Sequence, residues 1–150
     1  IPPADLIHFA VHGIYDPTGA QDGLVLTDGM VLDPMEVRGS ELKAAPFVFL
    51  NACQVGSGNQ ILGDYAGMAA AFLYAGAAGV VAPLWSIKDS VAKEIALDFY
   101  AKTSAGARPA DVFRQERGAL SADNTTSLTY MAYQFFGHPN MELIWKRGGG

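Results

Sequence analysis

Three short apolar runs divide the chain, and they constrain its fold more than any other feature. They are the segments Leu6–Val11, Phe47–Leu50 and Gly79–Trp85. A short apolar run bounded by turn residues is typical of a buried strand. Between them lie segments with apolar residues at helical spacing, as in Tyr65–Leu73. Strands alternating with helices predict an α/β protein, a three-layer α/β/α sandwich around a mostly parallel sheet.

Local turn and cap signals add shorter elements to this framework. Asp28–Gly29 lies between two β-prone runs and predicts a hairpin. Asp33 followed by Pro34 predicts a short helix through Val37, with Asp33 as the N-cap. Ser86 and Asp89 have the S-x-x-D spacing of a capping box, which predicts a helix that Gly106 closes.

The second half of the chain continues the alternation. Asp64 is expected to cap a helix that reaches Tyr74. A further helix is predicted from Pro109 to about Leu120, and a last strand from Leu128 to Phe136. The segment from Gln54 to Gly63 contains three glycines and is expected to be a flexible loop.

Composition excludes several classes of protein. With 150 residues, half of them hydrophobic and 17% charged, the chain can form a single domain with a sizeable core. A net charge of -5 argues against a nucleic-acid surface. The most apolar stretch, Ala66–Pro83, contains glycines and is interpreted as soluble core, so no membrane partner is expected. One unpaired cysteine suits a reducing cytoplasm.

Two of the predicted strands deliver a reactive side chain at their carboxyl ends. Leu6–Val11 leads into His12, and Phe47–Leu50 leads into Asn51-Ala52-Cys53. If these strands are parallel neighbours, His12 and Cys53 emerge at the same edge of the sheet, where ligands bind in open α/β sheets. Cys53 is the only cysteine, and a lone cysteine with a suitable histidine is a candidate nucleophile.

These residues supply the parts that amide or thioester cleavage requires. A free thiol has a pKa near 8.5, and a neighbouring histidine raises its reactive fraction and supplies a proton to the leaving amine. Gly13 lacks a Cβ, so its backbone N–H can approach a developing oxyanion, and the N–H of Cys53 can be the second donor. No Cys/His/Asp/Glu set has metal-ligand spacing, and this chemistry needs no metal or cofactor.

Each of these residues also has a purely structural interpretation. Cys53 can be a small apolar residue at a strand end, and His12 a histidine bonded to backbone. His8 has even spacing to His12 but lies most of a strand length from the edge, and is interpreted as a core or second-layer residue. His138, before Pro139, is interpreted as a turn residue.

The motifs together resemble the CHAT domain family of caspase-like cysteine peptidases. The resemblance lies in His12-Gly13 after one apolar strand and in Asn51-Ala52-Cys53-Gln54-Val55-Gly56 after another. The resemblance covers nearly the whole chain, and further matching stretches are Ala70–Ala77, Val80–Asp89, Phe99-Tyr100 and Met131–Gln134. Separases and gingipains are more distantly similar.

The resemblance implies a caspase–hemoglobinase fold, a His12/Cys53 dyad and no cofactor. It also implies two further strands before the histidine strand, so residues 1–147 are expected to be the C-terminal catalytic part of such a domain, followed by a Gly148–Gly150 tail. CHAT domains usually end larger chains, often after helical repeats. Other domains of a longer parent chain are therefore expected as partners, beside a protein or peptide substrate.

In caspase-like enzymes, the segment after the third strand lines a substrate pocket, which makes Trp85, Ser86 and Asp89 substrate-binding candidates. Asp89 can select a basic side chain, or serve as the N3 residue of the capping box. Trp85 can be a pocket wall or plain core. Asp16 and Asp22 follow His12 in the chain and are candidates for a third catalytic member, but loop acids are usually solvated, which disfavours that role.

Three functions follow from these residues. The first is a cysteine endopeptidase that forms a thioester acyl-enzyme on Cys53. The second is a non-catalytic CHAT-like domain that binds or regulates a partner. The third, a small-molecule hydrolase or amidotransferase, is disfavoured because the long segment from Gln54 to Gly63 replaces the tight strand-to-helix elbow of a glutaminase.

Overall fold

A computed structural model describes residues 4–14, 23–54, 64–85, 87–118 and 131–146. The strands in these ranges are β1 (Leu6–Ile14), β2 (Gly23–Val25), β3 (Val31–Leu32), β4 (Phe47–Gln54), β5 (Gly79–Pro83) and β6 (Tyr133–Gly137). The helices in these ranges are α1 (Pro34–Arg38), α2 (Asp64–Tyr74), α3 (Asp89–Ser104) and α4 (Pro109–Gly118).

The strands form one sheet in the order β3-β2-β1-β4-β5-β6. β1, β4 and β5 are parallel neighbours in its centre, whereas β2, β3 and β6 join through antiparallel pairs. The parallel connections pass through helices, because two parallel strands cannot be joined by a tight turn. The predicted α/β architecture with a mostly parallel sheet is confirmed.

Alternate residues of the central strands are buried in two separate cores, one on each face of the sheet. On one face, Val48 and Leu50 of β4 pack in a cluster with Phe72 of α2. On the other face, Phe47 and Phe49 pack in a cluster with α3 and α4. Helices therefore cover both faces of the sheet, and the fold is a three-layer sandwich.

The core beneath α3 and α4 contains a cluster of aromatic rings in mutual contact. Phe99 of α3 lies 5.7 Å from Phe47, 5.1 Å from Phe49 and 5.6 Å from Phe113 of α4, measured between ring centroids. Aromatic pairs at this spacing add about 1 kcal/mol each beyond the burial of their surface. This contact fixes α3 above β1 and β4, where it forms one wall of the candidate site.

The predicted short elements are confirmed. β2 and β3 form the antiparallel hairpin, and Gly29 in its turn has φ +82°, a conformation that glycine adopts at little cost. Asp33 caps α1 by accepting hydrogen bonds from Met35 N (2.6 Å) and Glu36 N (2.8 Å). The Glu36 carboxylate accepts from Asp33 N at 3.3 Å, which completes a capping box.

Two boundaries differ from the prediction because strand pairing extends them. β1 continues through His12 and Gly13 to Ile14, since β2 pairs with these residues. Cys53 lies inside β4, whose last residue is Gln54. Both reactive residues are thus in the last residues of a strand rather than just beyond it.

The capping box predicted for α3 is wrong. The helix begins at Asp89, and the carbonyl of Lys88 accepts the first helical hydrogen bonds, from Val91 N and Ala92 N. Lys88 is therefore the N-cap and has no side-chain cap hydrogen bond, so Asp89 is at N1 and not N3. The last strand is also later than predicted, at Tyr133–Gly137. The predicted loop residues 15–22 and 55–63 lie outside the described ranges.

Candidate active site

The register of the two central strands pairs His12 with Cys53. β1 and β4 run parallel over eight residue pairs, from Leu6 with Phe47 to Gly13 with Gln54. Neighbouring strands lie about 4.8 Å apart, so the backbones of His12 and Cys53 are adjacent. Both strands end within two residues of this pair, at the carboxyl edge where ligands bind in α/β sheets.

Gly13 lies within the sheet and not in a loop. Its register partners are Leu24 of β2 on one side and Gln54 of β4 on the other, and it is buried. Because Gly13 has no side chain, the backbone next to His12 is not covered at the carboxyl end of β1. The role of the Gly13 N–H in an oxyanion hole stays a prediction.

A cavity of about 460 Å³ adjoins His12. We name it the β1–α3 pocket, because it lies between those two elements. β1 contributes His8, Ala10 and His12 to its lining, and β4 contributes Asn51. The helix contributes Asp89, Ala92, Lys93, Ala96, Leu97 and Tyr100. A cavity of this size can hold a substrate side chain next to the His12–Cys53 pair.

His8 lines the pocket and is solvent-exposed, so the first of its two interpretations, a core residue, is wrong, whereas a second-layer role stays a prediction. Its ring stacks on Phe49 at 5.2 Å with an interplanar angle of 12°, and its Nδ1 is 2.6 Å from the hydroxyl of Tyr100. Partial burial of the ring lowers the pKa of His8 because it disfavours the charged form. The neutral imidazole is therefore the main form of His8 at pH 7. His8 lies on the same face of β1 as Ala10 and His12.

Tyr100 is the hydrogen-bond partner of His8, and the sequence analysis gave it no role at the site. Burial raises the pKa of Tyr100 to about 12, so the phenol keeps its proton at neutral pH. Its hydroxyl and His8 Nδ1 share one hydrogen bond, and the tautomer of the imidazole decides which of the two donates. Tyr100 reaches His8 because it lies on the helix face that packs on β1.

Asn51 links three elements two residues before Cys53. Its side-chain oxygen accepts a 2.6 Å hydrogen bond from the hydroxyl of Tyr133, which lies in β6. Its amide nitrogen donates to the carbonyl of Ala92 in α3 at 3.1 Å. The carboxyl end of β4 is thereby tied to the helix that forms the pocket wall and to the far side of the sheet. This role was not visible in the motif that contains Asn51.

The three predicted substrate-binding residues have different surroundings. Asp89 is exposed and lines the β1–α3 pocket, so it lies on the same side of the sheet as His12. Trp85 is half-buried and packs against the core beneath α3 and α4. Ser86 lies outside the described residues. Lys93, one helical turn after Asp89, lines the same pocket and was not predicted.

Among the residues that the structure describes, no group of three or more His, Cys, Asp or Glu side chains is arranged to hold a metal ion. Within the same ranges, every helix is too short or too polar for a membrane span.

Comparison with known families identifies the kind of domain. The model of the CHAT domain matches residues 1–141. The chain belongs to the CHAT domain family. The match includes β1 and β4 of this CHAT domain, which carry His12 and Cys53, and extends through α3 and β6. A search of curated proteins finds no significant match.

Proposed function

We propose that this CHAT domain is a cysteine endopeptidase whose nucleophile is Cys53 and whose general acid/base is His12. The observation that carries the proposal is the register of β1 and β4, which makes these two residues direct neighbours at the carboxyl edge of the sheet. His12 is exposed there and borders a cavity large enough for a substrate side chain.

The first half of the reaction transfers the acyl group to the enzyme. The Cys53 thiolate attacks the carbonyl carbon of the scissile peptide bond, and a C–S bond forms as the carbonyl oxygen becomes an oxyanion. When the C–N bond breaks, the His12 imidazolium donates a proton to the leaving amine. The products are a free amine and a thioester on Cys53.

The second half releases the acyl group. His12, now neutral, accepts a proton from water as the water oxygen attacks the thioester carbon. The C–S bond then breaks, the carboxylic acid is released, and the Cys53 thiolate and the His12 imidazolium of the first half are restored. The backbone N–H groups of Cys53 and Gly13 are the assigned oxyanion donors in both halves, and each such donor is worth about 3 kcal/mol of barrier.

The pH dependence of alkylation by iodoacetamide tests the dyad. Because Cys53 is the only cysteine, every labelled molecule reports on it. We expect a reactivity midpoint well below the free-thiol value of about 8.5, and a return toward that value in His12→Ala. His138→Ala is the matched control, because His138 is exposed and its ring accepts a hydrogen bond from the nearby Asn140 N.

A midpoint near 8.5 in the native chain, unchanged in His12→Ala, contradicts the proposed dyad and favours a domain that binds a partner without cleaving it. Peptide hydrolysis supplies the second readout. The Cys53→Ala variant should lose turnover and keep its unfolding midpoint, and turnover that survives this substitution excludes Cys53 as the nucleophile.

A further inference from the structure

We propose that the β1–α3 pocket holds the substrate side chain next to the scissile bond, and that it selects a large uncharged aromatic side chain such as phenylalanine or tyrosine. The pocket begins at His12 and extends along β1 to His8, under α3. A side chain seated there places its own peptide group at the carboxyl edge of the sheet. This inference rests on the proposed peptidase function.

The walls of the pocket leave room for a bulky group. Ala10 on the strand and Ala92 and Ala96 on the helix provide methyl groups where longer side chains would fill the space. Leu97 contributes an exposed apolar surface at the rim. The volume of about 460 Å³ lies within the range of cavities that bury whole small ligands, so it exceeds the needs of a small side chain.

The far end of the pocket consists of rings. The imidazole of His8 stacks on Phe49, and its centroid lies 5.6 Å from that of Tyr100. Aromatic side chains bind favourably against such rings in offset or edge-to-face geometry. Because Tyr100 occupies Nδ1, Nε2 is the ring nitrogen of His8 that is left for a ligand. A tyrosine hydroxyl at this depth can donate to Nε2 or accept from it, depending on the tautomer, whereas phenylalanine uses the rings alone.

The charges of the pocket do not favour an ionised side chain. Asp89 and Lys93 are the carboxylate and the ammonium group among its described lining, and they lie one helical turn apart on α3. Because their charges are opposite and both are exposed, their fields largely cancel. Lys93 thus offsets the attraction of Asp89 for a basic side chain, which was the expectation from the sequence. The His12 imidazolium of the proposed dyad is balanced by the Cys53 thiolate.

Peptidyl acyloxymethyl ketones that differ only in the side chain next to the ketone test this selectivity. The Cys53 thiolate bonds to the methylene carbon of the ketone and the carboxylate leaves, so each reaction adds a defined mass to the single cysteine. We compare phenylalanine, arginine, aspartate and alanine probes by mass spectrometry. Each rate is divided by the iodoacetamide rate of the same protein, which corrects for thiol reactivity.

We expect the phenylalanine probe to react at least about tenfold faster than the other three. Ala10→Val narrows the pocket with a residue that strands accept, and Leu97→Trp narrows it from an exposed helix position. Both should lower the ratio of phenylalanine to alanine rates several-fold. Ala101→Val on the exposed face of the same helix is the control and should keep the ratio.

Three outcomes overturn the inference. A faster arginine probe whose advantage disappears in Asp89→Asn shows a basic-selective pocket, and leaves the peptidase function standing. If the ratio of phenylalanine to alanine probe rates is unchanged in both Ala10→Val and Leu97→Trp, the pocket does not select the substrate side chain. If no ketone reacts, and iodoacetamide labels Cys53 with a pH midpoint near the free-thiol value of about 8.5, the pocket assignment and the peptidase function both fail.

Discussion

The Tyr133 hydroxyl donates a 2.6 Å hydrogen bond to the side-chain oxygen of Asn51, although the two residues are 82 positions apart in the chain. Tyr133 is fully buried, and Asn51 also bonds to the backbone of α3. A single amide therefore joins β4, β6 and a covering helix beside the candidate nucleophile. We regard Asn51 as a positioning residue for this edge of the sheet.

Removing the Tyr133 hydroxyl should destabilise the fold. In Tyr133→Phe the Asn51 oxygen loses its donor in a partly buried site, which typically costs about 1–3 kcal/mol. Urea unfolding followed by circular dichroism measures this loss. Tyr74→Phe is the control, because Tyr74 is 69% exposed and should change the free energy of unfolding by less than about 0.5 kcal/mol. Equal effects of the two substitutions contradict the role of the hydrogen bond.

The pH dependence of stability should include a contribution from His8. Partial burial lowers its pKa below the ordinary value of 6.5, so the unfolded chain binds a proton more readily than the folded protein does. This contribution to stability is fully present above pH 6.5 and is lost as pH falls below it. Comparing urea unfolding at pH 7.5 and 5.5 should show a smaller loss in His8→Gln than in the native chain, while His138→Gln keeps the native difference.

The ring cluster beneath α3 should contribute much of the stability of the pocket wall. Phe99 is fully buried and contacts rings of β4 and α4, so Phe99→Ala should lower the free energy of unfolding by roughly 3–5 kcal/mol. Met35→Ala is the size-matched surface control, since Met35 is 73% exposed. Unfolding curves that shift equally for both variants contradict this assignment.

The contribution of the Asp33 cap of α1 to the free energy of unfolding should be measurable separately. Asp33 accepts hydrogen bonds from two backbone N–H groups, and Asp33→Ala should cost about 1 kcal/mol. Asp33→Asn preserves the acceptor and should recover most of that loss. Thermal denaturation of the three proteins compares them, and an Asn variant as unstable as the Ala variant indicates that charge, not capping, is responsible.

Features set by neighbouring residues were predictable from the sequence. The Asp33 cap, the hairpin at Asp28–Gly29 and the apolar strands each depend on a few consecutive side chains, and all three are present. The capping box at Asp89 failed although its pattern was complete, because the carbonyl that begins α3 belongs to Lys88. Sequence spacing alone does not say which peptide group starts a helix.

Features that depend on long-range packing were not predictable. The sequence placed His12 and Cys53 at one edge of the sheet, but their pairing depends on the register of β1 against β4. Tyr100 and Lys93 join the site because α3 crosses β1, and Asn51 meets Tyr133 because β6 completes the sheet. None of these contacts leaves a local signal in the chain.

The parallel register of β1 and β4 also makes the site depend on the number of residues in β1 before His12. Side chains alternate between the faces of a strand, so removing one residue between Leu6 and His12 turns the imidazole toward the opposite face. Ile7, Phe9 and Val11 resist such a slip, because they pack against the core on that face. These apolar residues do not contact the substrate, but they fix the face of the sheet on which the His12 imidazole lies. Insertions or deletions in this strand should therefore damage the site more than most point substitutions do.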